Sequence, residues 1–193
     1  MALTAFALHD LAEAVLGCVC ASLEAVAAEV DGQPGCPARA CVVPGVAAWD
    51  TCDAPCEGDG APGQLTVNVA QIYPSTSFPA LDREVRGARS CPPPSTTAAE
   101  LVITLLRCAP MPTQKCPPSC EEMTESSRIL HVDSMTVYNA LLCCLPQTGG
   151  RRGPRFVIGP QRIIGPEGGC VGIEQRVTVA LPGCGRCPDE GVS

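Results

Sequence analysis

The chain of 193 residues is poor in the side chains that most enzymes use for catalysis. Lys115 is the only lysine, and His9 and His131 are the only histidines. Neither histidine has an acid and a nucleophile beside it in the sequence. No G-x-S-x-G, P-loop or H-E-x-x-H motif is present. These absences predict a protein that is not an enzyme.

Aromatic residues and basic charge are also scarce. Aromatic side chains make up 3% of a chain that is 46% hydrophobic, so we expect a core of leucine, valine, isoleucine and alanine. The net charge of −7 argues against specific nucleic-acid binding, which needs a basic stripe. No run approaches the ~20 apolar residues of a membrane span, and the N-terminus lacks the basic region of a signal peptide. The sequence therefore predicts no membrane partner and no signal peptide.

Cysteine, by contrast, is abundant, with 15 residues. Four of them lie in one proline- and glycine-rich stretch, residues 32–63, and others lie in residues 82–99 and in the terminal segment 183–193. Such a density is typical of disulfide-stabilised or metal-binding proteins. Because fifteen is odd, at least one thiol is free or bridges two subunits.

Three closely spaced cysteine pairs are candidates for either chemistry. Two pairs brought together would supply the four ligands of a tetrahedral zinc ion, but only one pair has the two-residue spacing that structural zinc sites favour. We therefore expect disulfides in the loops, with zinc as the alternative and no other cofactor. The cysteines in the predicted helices and strands, Cys18, Cys20, Cys108, Cys143 and Cys144, are interpreted as small buried hydrophobic residues. The candidate pairs are Cys52 with Cys56, Cys116 with Cys120, and Cys184 with Cys187.

The hydrophobic pattern predicts two amphipathic helices. In residues 8–30, apolar side chains recur mostly at spacings of three and four, and Gly32 suits the left-handed position that ends a helix. A second stripe predicts a helix over residues 119–145. Ser119 and Glu122 have the spacing of a capping box at its start.

Four strands are predicted around the second helix. Residues 64–74 alternate between apolar and polar side chains for most of their length. Residues 100–110 are apolar on both faces, which is typical of a central strand, and are expected to pair antiparallel with residues 64–74. Residues 155–183 predict a β-hairpin with its turn at Gly168-Gly169.

The predicted fold is therefore α+β with the element order α-β-β-α-β-β. We expect a four-stranded antiparallel or mixed sheet with two helices packed on it, in a single domain that spans residues 1–193. The loops 32–63 and 82–99 are long and cysteine-bearing, and a cysteine-bearing tail follows at 183–193.

Several motifs resemble one known group of proteins. The segments CVVPGVAAWDTC, GQLTVNVAQIYPSTSFP, LVITLLRCAPMP and, most specifically, IIGPEGGCVGIEQRVTVALPG are similar to tail terminators. These are small neck proteins of long-tailed phages that infect actinobacteria. The resemblance covers roughly residues 8–183, and the composition, rich in arginine, alanine, glycine and proline, is typical of their GC-rich genomes.

The resemblance implies a structural virion protein whose sheet, backed by two helices, assembles into a hexameric ring. The ring would cap the tail tube, end its polymerisation and join it to the head connector. The implied partners are further copies of the chain, the tail tube protein and the head-side connector or stopper, with assembly in the host cytoplasm. Genomic DNA would pass through the ring without specific binding, since an acidic lumen repels it.

Two sets of residues are candidates for surfaces of that ring. A hairpin edge that reaches a neighbouring subunit predicts an oligomer interface of Phe156, Ile158, Ile163, Ile164, Val171 and Ile173. The acidic side chains that would face the lumen are Glu167, Glu174, Asp53 and Glu57.

Two alternatives remain open at this point. Another neck connector, a stopper or an adaptor, would share the size, ring symmetry and partners of a terminator. A zinc-binding interaction module would instead use the cysteine pairs as ligands.

Overall fold

The computed structural model describes residues 6–46, 61–83, 96–112, 116–145, 155–167 and 169–182. These residues form two helices and one five-stranded mixed sheet, which is an α+β fold. In chain order the elements are α1 (Ala7–Glu29), β1 (Pro37–Val42), β2 (Ala61–Pro74), β3 (Thr96–Cys108), α2 (Cys120–Cys144), β4 (Phe156–Glu167) and β5 (Cys170–Pro182).

Both predicted helices are present within one or two residues of their predicted bounds. The turn after α1 contains Gly32 at φ +73°, a conformation that side chains with a Cβ rarely adopt. At the start of α2 the Ser119 hydroxyl accepts from the Glu122 backbone N–H, and the Glu122 carboxylate accepts from the Ser119 backbone N–H. The predicted capping box is therefore confirmed, and α2 continues without a break through Asp133.

The sheet has five strands in the order β1-β2-β3-β5-β4, so the prediction of four strands and of the order α-β-β-α-β-β was wrong. The additional strand, β1, lies within the predicted loop 32–63 and pairs parallel to β2. Its sequence, PARACV, has no alternating pattern of its own. It is a strand because the neighbouring edge of β2 offers backbone partners, an example of tertiary context overriding local propensity.

The remaining strand pairs are antiparallel. β2 pairs with β3, as predicted for residues 64–74 and 100–110, and β3 occupies the centre of the sheet. β4 and β5 form the predicted hairpin, with Gly169 at φ +75° in the turn. β3 begins at Thr96, inside the predicted loop 82–99; residues 84–95 of that loop and the tail 183–193 lie outside the described residues.

The main core lies between the two helices and one face of the sheet. Alternate residues of β2, β3 and β5 meet both helices there, and the side chains are almost all aliphatic, as the composition predicts. The opposite face carries the intervening residues, many of them polar. Core side chains include Leu11, Val15, Val19, Leu65, Val67, Leu101, Ile103, Leu105, Val137, Leu141, Ile173 and Val177.

Helix α1 combines a core face with an unusually apolar composition. An 18-residue window of this 23-residue helix has a mean hydropathy of 1.8, which meets the length and composition of a membrane span. Core helices and signal sequences meet the same criterion, and 28% of that window is buried here. The buried side chains Leu11, Val15, Val19 and Leu23 lie against the sheet and α2. On its outer side lie small residues such as Ala14, Gly17 and Ala21, so the helix is apolar without a second face of large side chains.

Candidate functional site

A buried polar cluster joins α2, β3 and the turn after α1 near one end of the sheet. Asp133 lies in the middle of α2 and is fully buried, Arg107 lies near the end of β3, and Gln33 follows the turn that ends α1. Arg107 Nε donates to Asp133 Oδ2 at 2.8 Å, and its Nη2 donates to Oδ1 at 3.1 Å. Gln33 Nε2 donates to the same Oδ1 at 2.8 Å. The carboxylate is therefore held by three hydrogen bonds from two other segments of the chain.

The cluster also secures the chain between α1 and β1. Arg107 Nη2 donates to the backbone carbonyls of Gly35, at 2.9 Å, and Pro34, at 3.3 Å. Burial raises the pKa of the Asp133 carboxyl, while the hydrogen bonds from Arg107 and Gln33 lower it. A buried pair of this kind is costly to break from one side, because the remaining charge stays in the core without its partner.

One nitrogen of the guanidinium is left over. Arg107 Nη1 is buried and has no acceptor among the residues that the structure describes. The Arg107 residue lines an open cleft of about 1050 Å³ between the end of β3, the start of β2 and the first turns of α2.

The cleft has apolar walls and an acidic rim. Pro34, Pro62, Ala109, Pro110 and Ile129 contribute apolar surface. The rim carboxylates belong to the first two turns of α2 and are Glu121, Glu122 and Glu125.

Two of these carboxylates already have partners on their own helix. Hydrogen bonds from the backbone and hydroxyl of Ser119, each 2.8 Å long, lower the pKa of Glu122. A hydrogen bond from Arg128 lowers the pKa of Glu125. Glu121 has no ion-pair partner within the described part of the chain and is the rim carboxylate most available to a ligand.

The cysteines in the helices have a different role from the predicted one. Cys18 of α1 is bonded to Cys144 of α2, with a Cα–Cα distance of 6.3 Å. Cys20 of α1 is bonded to Cys36, just before β1, with a Cα–Cα distance of 5.0 Å. The interpretation of Cys18, Cys20 and Cys144 as buried thiols was therefore wrong. Disulfides are present as expected, but these two join core elements rather than neighbouring loop residues.

The predicted cysteine pairs are only partly within the described residues. Cys52, Cys56, Cys184 and Cys187 lie outside them. Cys116 and Cys120 are both exposed and are not bonded to each other. Among the described side chains, no group of three or more histidines, cysteines, aspartates or glutamates is placed to hold a metal ion.

The predicted interface residues divide between the edge strand and the core. Ile163, on β4, is 57% exposed, while Phe156, Ile158, Ile164 and Val171 are partly buried. Ile173 is fully buried and belongs to the core of the subunit itself, so its side chain has no surface to offer a neighbour.

The predicted lumen residues are separated in the fold. Glu167 is exposed at the end of β4, and Glu174 lies on the sheet face opposite the helices. Glu174 Oε1 accepts from Arg176 Nε at 2.9 Å, and Arg176 also pairs with Glu100 on β3, at 2.6 Å. One guanidinium is therefore shared by two carboxylates, so the negative charge of Glu174 is only partly compensated in the subunit. Asp53 and Glu57 lie outside the described residues.

The sequence contains a weak signal for this cluster, which the hydrophobic periodicity of the elements does not reveal. Arg107 is the only charged residue in the apolar run LVITLLRC, and Asp133 interrupts the apolar stripe of α2. A charge in each of two core elements is an indication of a buried pair, because isolated buried charges are rare.

No protein-family model matches this chain, and no curated protein is significantly similar to it.

Proposed function

We propose that the chain is a structural virion protein, a tail terminator whose copies associate into a closed ring at the head–tail junction. The ring would cap the tail tube, end its polymerisation and join it to the head connector. Two observations support the proposal. The first is the motif resemblance over residues 8–183, and the second is an α+β subunit whose sheet is backed by two helices on one face.

The observation that carries the proposal is that the sheet has two open edges whose strands run in opposite directions. Within the described part of the chain, β1 and β4 each pair with one strand only. Following the strand directions across the sheet, β1 and β4 run in opposite senses. The β4 edge of one copy can therefore pair antiparallel with the β1 edge of the next, which continues the sheet from subunit to subunit. Such a head-to-tail contact produces a ring when the rotation closes.

Backbone groups at both edges point away from the sheet. The Arg155 carbonyl accepts from Ala180 N at 2.7 Å, so by alternation the backbone groups of Phe156 and Ile158 face outward. On the other edge Val43 N donates to the Val67 carbonyl at 2.9 Å, so those of Ala40 and Val42 face outward.

Exposed edges of this kind are templates for pairing with another chain unless they are covered. Partly buried apolar side chains flank both edges, namely Phe156 and Ile158 on β4 and Ala40 and Val42 on β1. Contact between copies would bury the rest of these side chains, which adds a hydrophobic contribution to the backbone pairing.

The test removes one outward donor from an edge. Ala40→Pro deletes the outward N–H of β1 at a position where an edge strand tolerates proline. Ala7→Pro makes the same chemical change at the first residue of α1, where proline is also tolerated, and serves as the matched control. Light scattering after size exclusion and negative-stain images would measure the assembly, and circular dichroism would verify the fold.

We expect rings for the wild type and for Ala7→Pro, and folded monomers for Ala40→Pro. Wild-type protein that stays monomeric at micromolar concentration, both alone and with tail tubes, would overturn the proposal. Rings that persist in Ala40→Pro would show that the copies meet through another surface.

A further inference from the structure

Exposed apolar side chains lie along the side of α2 that faces the β4 edge. Gln161 Nε2 of β4 donates to the Ser134 carbonyl at 3.1 Å, which identifies that side of the helix. Tyr138 and Leu142 follow Ser134 at successive spacings of four residues, so they lie on the same side. Tyr138 is 40% exposed and Leu142 is 45% exposed, although both are large and mainly apolar.

Ile163 adds a third exposed side chain to this side of the molecule. Its register partner on β5, Ile173, lies in the core beneath the helices, so Ile163 also faces the helix layer. It is nevertheless 57% exposed. We call Tyr138, Leu142 and Ile163 the α2 flank. Exposed apolar groups on one side of a subunit are typical of a surface that another protein covers.

The opposite end of the helix layer is formed by α1, which lies beside β1. Cys20 is bonded to Cys36, just before β1, and Glu24 Oε1 accepts from Cys36 N at 3.0 Å. Glu13 and Ala27 share this side of α1, because positions 13, 20, 24 and 27 recur at helix-turn spacings. We call Glu13, Cys20, Glu24 and Ala27 the α1 flank. It combines small side chains with two carboxylates.

The dimensions of the two layers determine what faces the α2 flank. Continuation of the sheet from β4 of one copy to β1 of the next, on which this inference rests, places the α1 flank of the next copy opposite it on the same side of the sheet. Five strands at a spacing of about 4.8 Å give a repeat of about 24 Å. Two helices packed about 10 Å apart within a copy therefore leave about 14 Å between α2 and the next α1.

That separation suits direct contact between the two helices. A helix with its side chains is about 10–12 Å across, so a separation of about 14 Å leaves only about 2–4 Å between two average helix surfaces. A third helix does not fit into this space. Large side chains on one helix that face small side chains on the other fill it, and this is the difference between the α2 flank and the α1 flank.

We propose that the α2 flank of one copy binds the α1 flank of a second copy, so that neighbouring copies meet through the helix layer as well as through the sheet edges. Tyr138, Leu142 and Ile163 lose their exposed apolar area in this contact, which stabilises the assembly. The Tyr138 hydroxyl is able to donate to a carboxylate of the α1 flank, as buried tyrosine hydroxyls usually find an acceptor.

Three variants test the contribution of the α2 flank. Leu142→Glu puts a charge into the apolar contact, opposite the carboxylates of α1, and should raise the concentration at which rings dissociate at least tenfold. Leu142→Ala removes only part of the apolar area and should raise it about threefold. Leu81→Glu is the matched control, because Leu81 is 53% exposed and lies between β2 and β3, outside both flanks. It should stay within about twofold of the wild type.

Sedimentation velocity measures the dissociation of the rings, and circular dichroism verifies the fold of each variant. The surface that meets the α2 flank is identified by a photoreactive benzoylphenylalanine in place of Tyr138. Rings are assembled from equal amounts of ¹⁴N and ¹⁵N chains and irradiated. We expect cross-linked peptides of mixed isotope content that join position 138 to α1, Ala7–Glu29.

The failure of this inference is distinguishable from the failure of the ring. Leu142→Glu rings as stable as those of the wild type, or cross-links from position 138 that end outside α1, would overturn the helix contact and leave the ring in place. An equal loss of assembly in Leu81→Glu would also overturn it, because any added charge would then have the same effect. Wild-type chains that do not assemble would overturn both.

Discussion

Removing the disulfide between Cys18 of α1 and Cys144 of α2 should strongly destabilise the fold. Cys18 and Cys144 are 126 residues apart in the sequence. In the chain-entropy description, a link of that length restricts the unfolded chain by about 5 kcal/mol at 25 °C. A second disulfide among the described residues, Cys20 to Cys36, closes only 16 residues and is worth about 3 kcal/mol by the same relation.

The two double variants Cys18→Ala/Cys144→Ala and Cys20→Ala/Cys36→Ala test this order. Each would be unfolded in urea without reductant and compared with the wild type. With a slope of about 2 kcal/mol/M, the first variant should lose about 2.5 M in its midpoint and the second about 1.5 M.

Cys143→Ala is the matched control, because Cys143 is exposed and adjacent to Cys144 on the same helix. It should leave the midpoint within about 0.3 M of the wild type, as surface substitutions usually do. An intact mass that shows free thiols at Cys18 and Cys144, or a midpoint unchanged by their replacement, would refute the reasoning.

Two further predictions concern α2. Asp133→Asn leaves the Arg107 guanidinium buried without a carboxylate and should destabilise the fold by about 3–5 kcal/mol in urea unfolding; a loss below about 1 kcal/mol would contradict a buried pair. Hydrogen bonds from Ser119 hold the pKa of Glu122 below its ordinary value of 4.5. The stabilisation of the fold by ionised Glu122 is therefore present above pH 4.5 and is lost as the pH falls through the folded pKa. Glu122→Gln keeps the capping geometry, so the free energy of unfolding of this variant should decrease less as the pH falls. A pH dependence identical to that of the wild type would show that the ionised capping box does not contribute to stability.

Much of the secondary structure follows from short-range pattern. The stripes of α1 and α2, the capping box of Ser119 and Glu122, and the hairpin turn at Gly169 each depend on residues a few positions apart. Helix periodicity, caps and turns depend on contacts within one element, so they can be predicted from the sequence alone. The aliphatic run of β3 likewise predicted its central position in the sheet.

The errors arose where a partner far along the chain decided the outcome. β1 has no strand pattern and pairs because β2 lies beside it. Cys18 looked like a small core residue, and its bond to Cys144 depends on how two helices pack.

The sequence by itself thus determined the helices, the hairpin and the aliphatic core, because these are properties of local periodicity and composition. Only the tertiary structure decided the fifth strand, the pairing of the helix cysteines and the joining of Arg107 to Asp133 beside a cleft. Each of these joins segments well separated along the chain, and no local pattern specifies which distant residue will supply the partner.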